Sequence, residues 1–372
     1  MTTTTTPART VRRSEMRSPY MEFAKLHAHA AYNLATSGME SFPIAELPVR
    51  WEELEITGPS FYGFPPLQQR LAKHCGVPEN CVVPAIGTSL ANHLALAAIA
   101  NPGEEILVED PTYELITSTA EFLGLRVRTF PRRVENSFAV DPADLRKRVT
   151  AQTRAIVLCN LHNPSSMLTG EDTLRELAAI ARQNGIRILV DEVYLDAAFD
   201  IAPRSAVHLA PEVFVITSSL TKAYGLSGLR CGWVLAEEKL AERVWHINDL
   251  FSSVPAHPAE LLSIVAFDNL TRIRERARAI LQRNRPLLEA FLESRDDLEY
   301  VLSPHGTTAF PRLKHGSVEA LFELLRSKYE AALVPGKFFG MPQHFRIGIG
   351  GNTEMTAEGL RRLGEALDEF RS

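Results

Sequence analysis

The sequence predicts a two-lobed α/β protein, a large doubly wound and mostly parallel sheet domain joined to a smaller α+β domain. Three observations carry this expectation. Between about residues 105 and 236, short apolar segments alternate with helical patterns. The chain, at 372 residues, is too long for one small core. Beyond about residue 295 the alternation gives way to a few short strands and helices of different spacing.

The strand candidates are 105–108, 126–130, 155–159, 186–190, 213–217 and 232–236. Each is short and rich in Val, Ile or Leu, as a strand buried on both faces should be. Helical patterns at 90–100, 114–123 and 174–184 lie among them, the last closed by Gly185. Such alternation means parallel strands with crossover helices, and it places the site beyond the carboxyl ends of the strands.

The remaining segments fall around that sheet. Residues 1–18 are Thr-rich and are expected to be a disordered tail, with no apolar stretch of the kind a secretion signal needs. Residues 19–49, opening on a short helix near 21–32, are assigned to the small domain. Residues 50–280 form the large domain, whose last part is helical and charged with breaks near Pro255 and Pro258. Residues 281–372 complete the small domain, with strands near 299–302 and 345–349, a helix at 318–328 and a closing helix from Ala357.

Composition narrows the function. A hydrophobic fraction of 45% and a charged fraction of 23% are ordinary for a soluble globular protein. The net charge of -5 argues against nucleic acid as the main partner. No apolar run approaches the roughly 18 residues that cross a bilayer. Cys75, Cys81, Cys159 and Cys231 show neither CxxC spacing nor a paired framework, which fits buried thiols in a reducing cytoplasm. His27 and His29 would point to different faces of a helix, so no metal site is expected.

Four segments carry chemistry. Lys222 stands in Ser218-Ser219-Leu220-Thr221-Lys222-Ala223-Tyr224-Gly225, directly after a strand and among hydroxyls and glycines, where backbone N–H groups readily hold a phosphate. Asp191 ends the apolar run Ile188-Leu189-Val190. Gly87-Thr88-Ser89 precedes an apolar helix and makes an anion site at its N-terminus. Arg346, in Phe345-Arg346-Ile347-Gly348-Ile349-Gly350, shares a strand face with two glycines, and a charged fork on a cleared face suits an approaching carboxylate.

These segments resemble the class I/II aminotransferases of the aspartate aminotransferase superfamily, enzymes of the pyridoxal 5'-phosphate (PLP) fold type I. The resemblance runs from about Tyr62 to Gly351. It implies that Lys222 carries PLP as an aldimine and later moves the proton, and that Asp191 pairs with the pyridine nitrogen so that the ring accepts electrons. It gives Asn163 and Tyr194 to the phenolic oxygen of PLP, and Tyr113 to its ring face. Thr88, Ser89, Ser219 and Arg230, with Gly87 at the same turn, go to the phosphate. Tyr62 matches a tyrosine that reaches the phosphate of a neighbouring subunit, which implies a homodimer with shared sites. Arg346 matches the residue that holds the substrate α-carboxylate, with Asn163 and Gly38 lining the same pocket. The sequence departs from the family at Ser166, where glycine is usual, so a different turn is expected after Asn163.

The function implied is reversible amino transfer between an amino acid and a 2-oxo acid. The same residues serve PLP-dependent lyases and synthases, of the β-eliminating or aminocyclopropane-carboxylate-synthase-like kind. A nicotinamide oxidoreductase would need GxGxxG after an early strand, and no glycine cluster has that spacing. No second arginine is assignable to a distal carboxylate, so dicarboxylic substrates are not favoured.

Overall fold

The computed structural model describes residues 13–252 and 254–371. Its centre is a seven-stranded sheet of β1 (Val82–Ile86), β2 (Glu105–Asp110), β3 (Arg126–Pro131), β4 (Thr153–Cys159), β5 (Arg187–Asp191), β6 (Phe214–Ser219) and β7 (Cys231–Leu235). The order across the sheet is β1-β7-β6-β5-β4-β2-β3. Neighbours from β6 to β3 are parallel, whereas β7 runs antiparallel to both β6 and β1. Apolar clusters cover both faces, as a sheet with helical crossovers requires.

Two features differ from the sequence reading. The strand β1 was not expected, because Pro84 sits in its middle. It lies at the sheet edge, bonded only to β7, and there a residue without an N–H is tolerated. The antiparallel β7 follows β6 through the loop 220–230 with no crossover α-helix, so alternation could not reveal its direction.

The ends of β2, β3 and β4 are tied by a fully buried ion pair. Arg132 donates to Glu109 at 2.8 Å and to the Phe138 carbonyl at 2.5 Å, while the other Glu109 oxygen accepts from the Cys159 N–H at 2.6 Å. Breaking such a pair by removing one partner costs about 3–5 kcal/mol, because a buried charge is left alone. It fixes the starting points of the loops that carry Tyr113 and Asn163.

In the smaller lobe, Phe345–Gly348 is the middle strand of three, between Thr308–Ala309 and Val334–Pro335. Residues 32–33 pair in parallel with Ala331–Ala332, so the segment after the N-terminal helix runs with this lobe. Helices Glu238–Asn248, His257–Asp268 and Leu270–Glu293 lead to it, and Val318–Lys328 and Thr353–Arg371 pack in it. Of the expected tail, residues 1–12 lie outside the described residues. Arg13–Glu15 form a short turn of helix, and Ser18 caps the N-terminal helix Pro19–Leu26 by accepting from the Met21 N–H at 3.1 Å. No helix among the described residues is long and apolar enough to cross a membrane.

Candidate active site

Four parallel or near-parallel strand ends and one helix N-terminus converge on a cavity of about 250 Å³. Lys222, Asp191, Tyr194, Asn163, Tyr113, Thr88, Ser89, Ser219 and Arg230 all line it. Residues separated by up to about 140 positions are therefore brought together by the sheet, which ends its strands on one edge.

Lys222 is gripped along its length. Its carbonyl accepts from the Met39 N–H at 2.8 Å, and a Cβ on Gly38 would stand 3.2 Å from Lys222 Cδ. Its amine donates to Ser37 Oγ at 3.1 Å, and the Tyr194 hydroxyl donates to the same oxygen at 2.7 Å. Gly38 thus packs against the stem of Lys222 and does not line the cavity; Ser37 takes that place in the wall.

Asp191 is buried at the end of β5. Burial raises its pKa to about 6, against the pull of Asn92 Nδ2 at 2.8 Å, the Val193 N–H at 3.1 Å and the Lys222 charge. Asn92 is itself fixed by Thr217, whose hydroxyl donates to its carbonyl oxygen at 2.5 Å.

At the opposite end, the helix Gly87–Ile99 points its N-terminus into the cavity. Thr88 Oγ1 donates to Ser219 Oγ at 2.9 Å, and the Arg230 guanidinium reaches back to the Ile86 carbonyl at 3.3 Å. Gly87 has φ +73, and a Cβ there would stand 2.2 Å from Arg230 Nη2, so only glycine admits the arginine so close to the helix end. Hydroxyls, free helix N–H groups and a guanidinium form an anion cradle.

Directly behind the wall residues Tyr20 and Asn163 lies Arg346, which is 1% exposed. It donates to Asn163 Oδ1 at 2.9 Å, to the Tyr20 hydroxyl at 2.9 Å and to the Ala35 carbonyl at 3.3 Å. Its Nε has no hydrogen-bond partner, and the bonds of its other nitrogens go to neutral oxygens rather than to a carboxylate. A buried guanidinium lacking an anion is costly, so this is a site short of one negative charge. The glycines beside it do not leave open space. A Cβ on Gly348 would meet the Thr36 carbonyl oxygen at 1.7 Å, and one on Gly350 would meet the Gly38 carbonyl oxygen at 2.3 Å. They admit the backbone of residues 36–38, which corrects the reading of a face cleared for substrate.

Ser166 sits at φ 60, the left-handed region that favours glycine. Its hydroxyl contacts Thr308 Oγ1 at 2.8 Å and accepts from the Thr308 N–H at 3.2 Å, and its carbonyl accepts from Ser303 Oγ at 2.8 Å. The serine therefore keeps the turn that glycine would make and bonds the Asn163 loop to the small lobe.

Tyr62 stands apart from the cavity. It is 60% exposed, donates to Asp249 at 3.1 Å and lies edge-on to Trp245. Conversely, Tyr20, Ser37 and Asn92 line the cavity and were not singled out in the sequence. Only Asn92 left a signal there, as the one amide in an apolar helix.

A model of the family described as aminotransferase class I and II matches residues 56–363. Capreomycidine synthase of Streptomyces vinaceus is 30% identical over 292 residues, 78% of this chain and 75% of that protein. A probable aspartate/prephenate aminotransferase of Aquifex aeolicus is 28% identical over 308 residues, 79% of this chain and 77% of that protein. Among solved structures, a PLP-dependent aminotransferase from Streptococcus suis superposes with a TM-score of 0.88 at 24% identity, covering 95% of this chain and 99% of that one. The PLP-dependent cyclase OrfR superposes with a TM-score of 0.85 at 22% identity, covering 99% of this chain and 100% of that one. Both structures share the fold.

Proposed function

Because the chain belongs to the class I and II aminotransferases, we propose that it transfers an amino group between an amino acid and a 2-oxo acid with PLP held on Lys222. The observation that carries the proposal is one cavity that joins the buried carboxylate of Asp191 to the anion cradle at Thr88 and Ser89, with the anion-deficient Arg346 directly behind its wall residues Tyr20 and Asn163.

The residues present fit the cofactor. The cradle of Thr88, Ser89, Ser219 and Arg230 suits a phosphate, and Asp191 at the cavity floor suits a protonated ring nitrogen. Asn163 and Tyr194 suit the ring hydroxyl, and Tyr113 suits the ring face. When bound, PLP supplies a covalent seat for the amino group and an electron-accepting ring. The protein's part is to position and to move protons. Asp191 keeps the ring nitrogen charged. Lys222, half-buried and held by Ser37 and Gly38, takes and returns the proton at the substrate's α-carbon. Arg346 orients the substrate through its α-carboxylate, with Asn163 fixing the guanidinium plane.

The N-terminal helix contributes Tyr20, Met21 and Ala24 to the cavity wall, and no cation from that helix lines it. A neutral side chain suits this wall better than a second carboxylate. Exposed Phe61, Tyr62, Leu250 and Phe251 support a homodimer in which Tyr62 completes the partner's cradle. Four free cysteines suit a reducing cytoplasm.

A second reading keeps the same cofactor site and replaces transfer by lyase or synthase chemistry. It is favoured by the likeness to a capreomycidine synthase and to a PLP-dependent cyclase. Borohydride reduction of the holoenzyme followed by peptide mapping tests the shared premise. The pyridoxyl group is expected on Lys222, and a label on any other lysine contradicts the assignment.

A further inference from the structure

We propose that Tyr20 is a second ligand of the substrate carboxylate, standing in for that carboxylate on Arg346 while the site is free. The inference rests on the function proposed above and adds to it a specificity-determining residue. Tyr20 comes from the N-terminal helix, 326 positions away from Arg346 in the chain, yet its hydroxyl lies 2.9 Å from Arg346 Nη2. It is 7% exposed and lines the same cavity as Lys222 and Asn163.

Three observations point to the exchange. First, the remaining ligands of Arg346 are neutral carbonyl oxygens, from Asn163 and Ala35, and its Nε has none. The phenol oxygen is thus the one acidic group on a guanidinium that lacks a carboxylate. Second, the phenol is electrostatically suited to this place. Burial alone would raise its pKa, and Glu114 pushes the same way, but Arg346 and Lys222 bring it below the ordinary value. Third, its position is fixed from several sides. Tyr113 packs edge-on at 5.5 Å and Phe338 at 5.9 Å. The cap residue Ser18 donates to Glu114 at the start of the helix Glu114–Phe122, which anchors the N-terminal helix.

The exchange conserves hydrogen bonds. As a carboxylate arrives, Arg346 Nη2 turns from the phenol oxygen to a carboxylate oxygen, and the freed Tyr20 O–H donates to the same carboxylate. A substrate lacking the carboxylate would leave the phenol in place. Tyr20 therefore selects amino acids over amines, and its ring with Met21 and Ala24 limits the side chain.

The test compares the holoenzyme with its Tyr20→Phe variant, using propionate as a carboxylate without an amino group. Propionate binding, read from the cofactor's absorbance, is expected to weaken about 10-fold, the effect of one hydrogen bond to a charged group. Wild-type binding is also expected to weaken at alkaline pH, as the ionising phenol competes for Arg346 in the presence of Lys222, Tyr113 and Glu114. Tyr20→Phe should abolish that alkaline limb. In turnover, KM for the amino acid should rise about as much, with kcat nearly unchanged. Equal propionate affinity with the alkaline limb retained would overturn the proposal, and so would a fall in kcat at unchanged KM. Because propionate binding needs no turnover, it decides the role of Tyr20 even if the enzyme proves not to transfer amino groups.

Discussion

Replacing Asp191 with asparagine is expected to lower kcat/KM about a hundred- to a thousand-fold, the scale on which removal of one preorganised electrostatic contact acts. The substitution keeps the shape of the side chain beside Asn92 and the Val193 N–H but removes the charge. The ring nitrogen then loses its counter-ion and with it the proton that makes the ring an electron acceptor. Steady-state kinetics on holoenzyme of verified cofactor content measures the effect. The same carboxylate gives a pH dependence whose sign follows from burial. In the cofactor-free protein Asp191 titrates at about 6, above its ordinary value, so it is ionised above that pH and neutral below. PLP affinity should therefore fall as pH drops through about 6. The stability of the cofactor-free protein runs the other way for this group. The folded form binds the proton more tightly than the unfolded chain, so Asp191 favours folding at low pH and that contribution is lost as pH rises to about 6. Asp191→Asn should remove both trends, and an unchanged pH dependence of PLP affinity would contradict the role.

Replacing Arg346 with alanine is expected to raise KM for the amino donor about a hundred-fold, as truncating one partner of a buried charge pair does. PLP should remain bound, because Arg346 lies behind the cavity wall and bonds Asn163, Tyr20 and Ala35, not Asp191 or the phosphate cradle. Lysine in its place should recover little. The guanidinium serves Asn163 Oδ1, Tyr20 and Ala35 with different N–H groups at once, and a point charge on a flexible stem cannot reproduce that fork. Some loss of stability is offset in the alanine variant, since a buried guanidinium without an anion is removed with it. Normal kinetics with every amino acid would remove Arg346 from the substrate site.

The parts of this site that were legible in the sequence are those whose signal is local. Lys222 and Asp191 each follow a short apolar strand, and a parallel sheet must deliver such residues to one edge. Thr88 and Ser89 announce themselves as hydroxyls at a helix start. What stayed hidden depends on contacts far apart in the chain. Ser37 is 185 positions from Lys222, and nothing around it marks a residue that bridges Lys222 and Tyr194. Tyr20 reads as one aromatic in a short amphipathic helix until the fold sets it on Arg346. Gly348 and Gly350 were legible as positions of close approach, but the approaching group is the backbone of Thr36 and Gly38. Likewise Pro84 concealed an edge strand that only the completed sheet explains.

The fate of the amino group tests the central claim most directly. Holoenzyme is incubated with an amino donor and no oxo acid, and oxo acid and ammonia are measured against time. An aminotransferase keeps the amino group after the first half of its cycle and waits for an acceptor, so it should release about one oxo acid per site and then stop. Adding a 2-oxo acid should restart it and form a new amino acid. Continued release of ammonia over many turnovers without an acceptor, or conversion of the donor to a cyclised product, would contradict amino transfer and give the same residues to a lyase or a synthase.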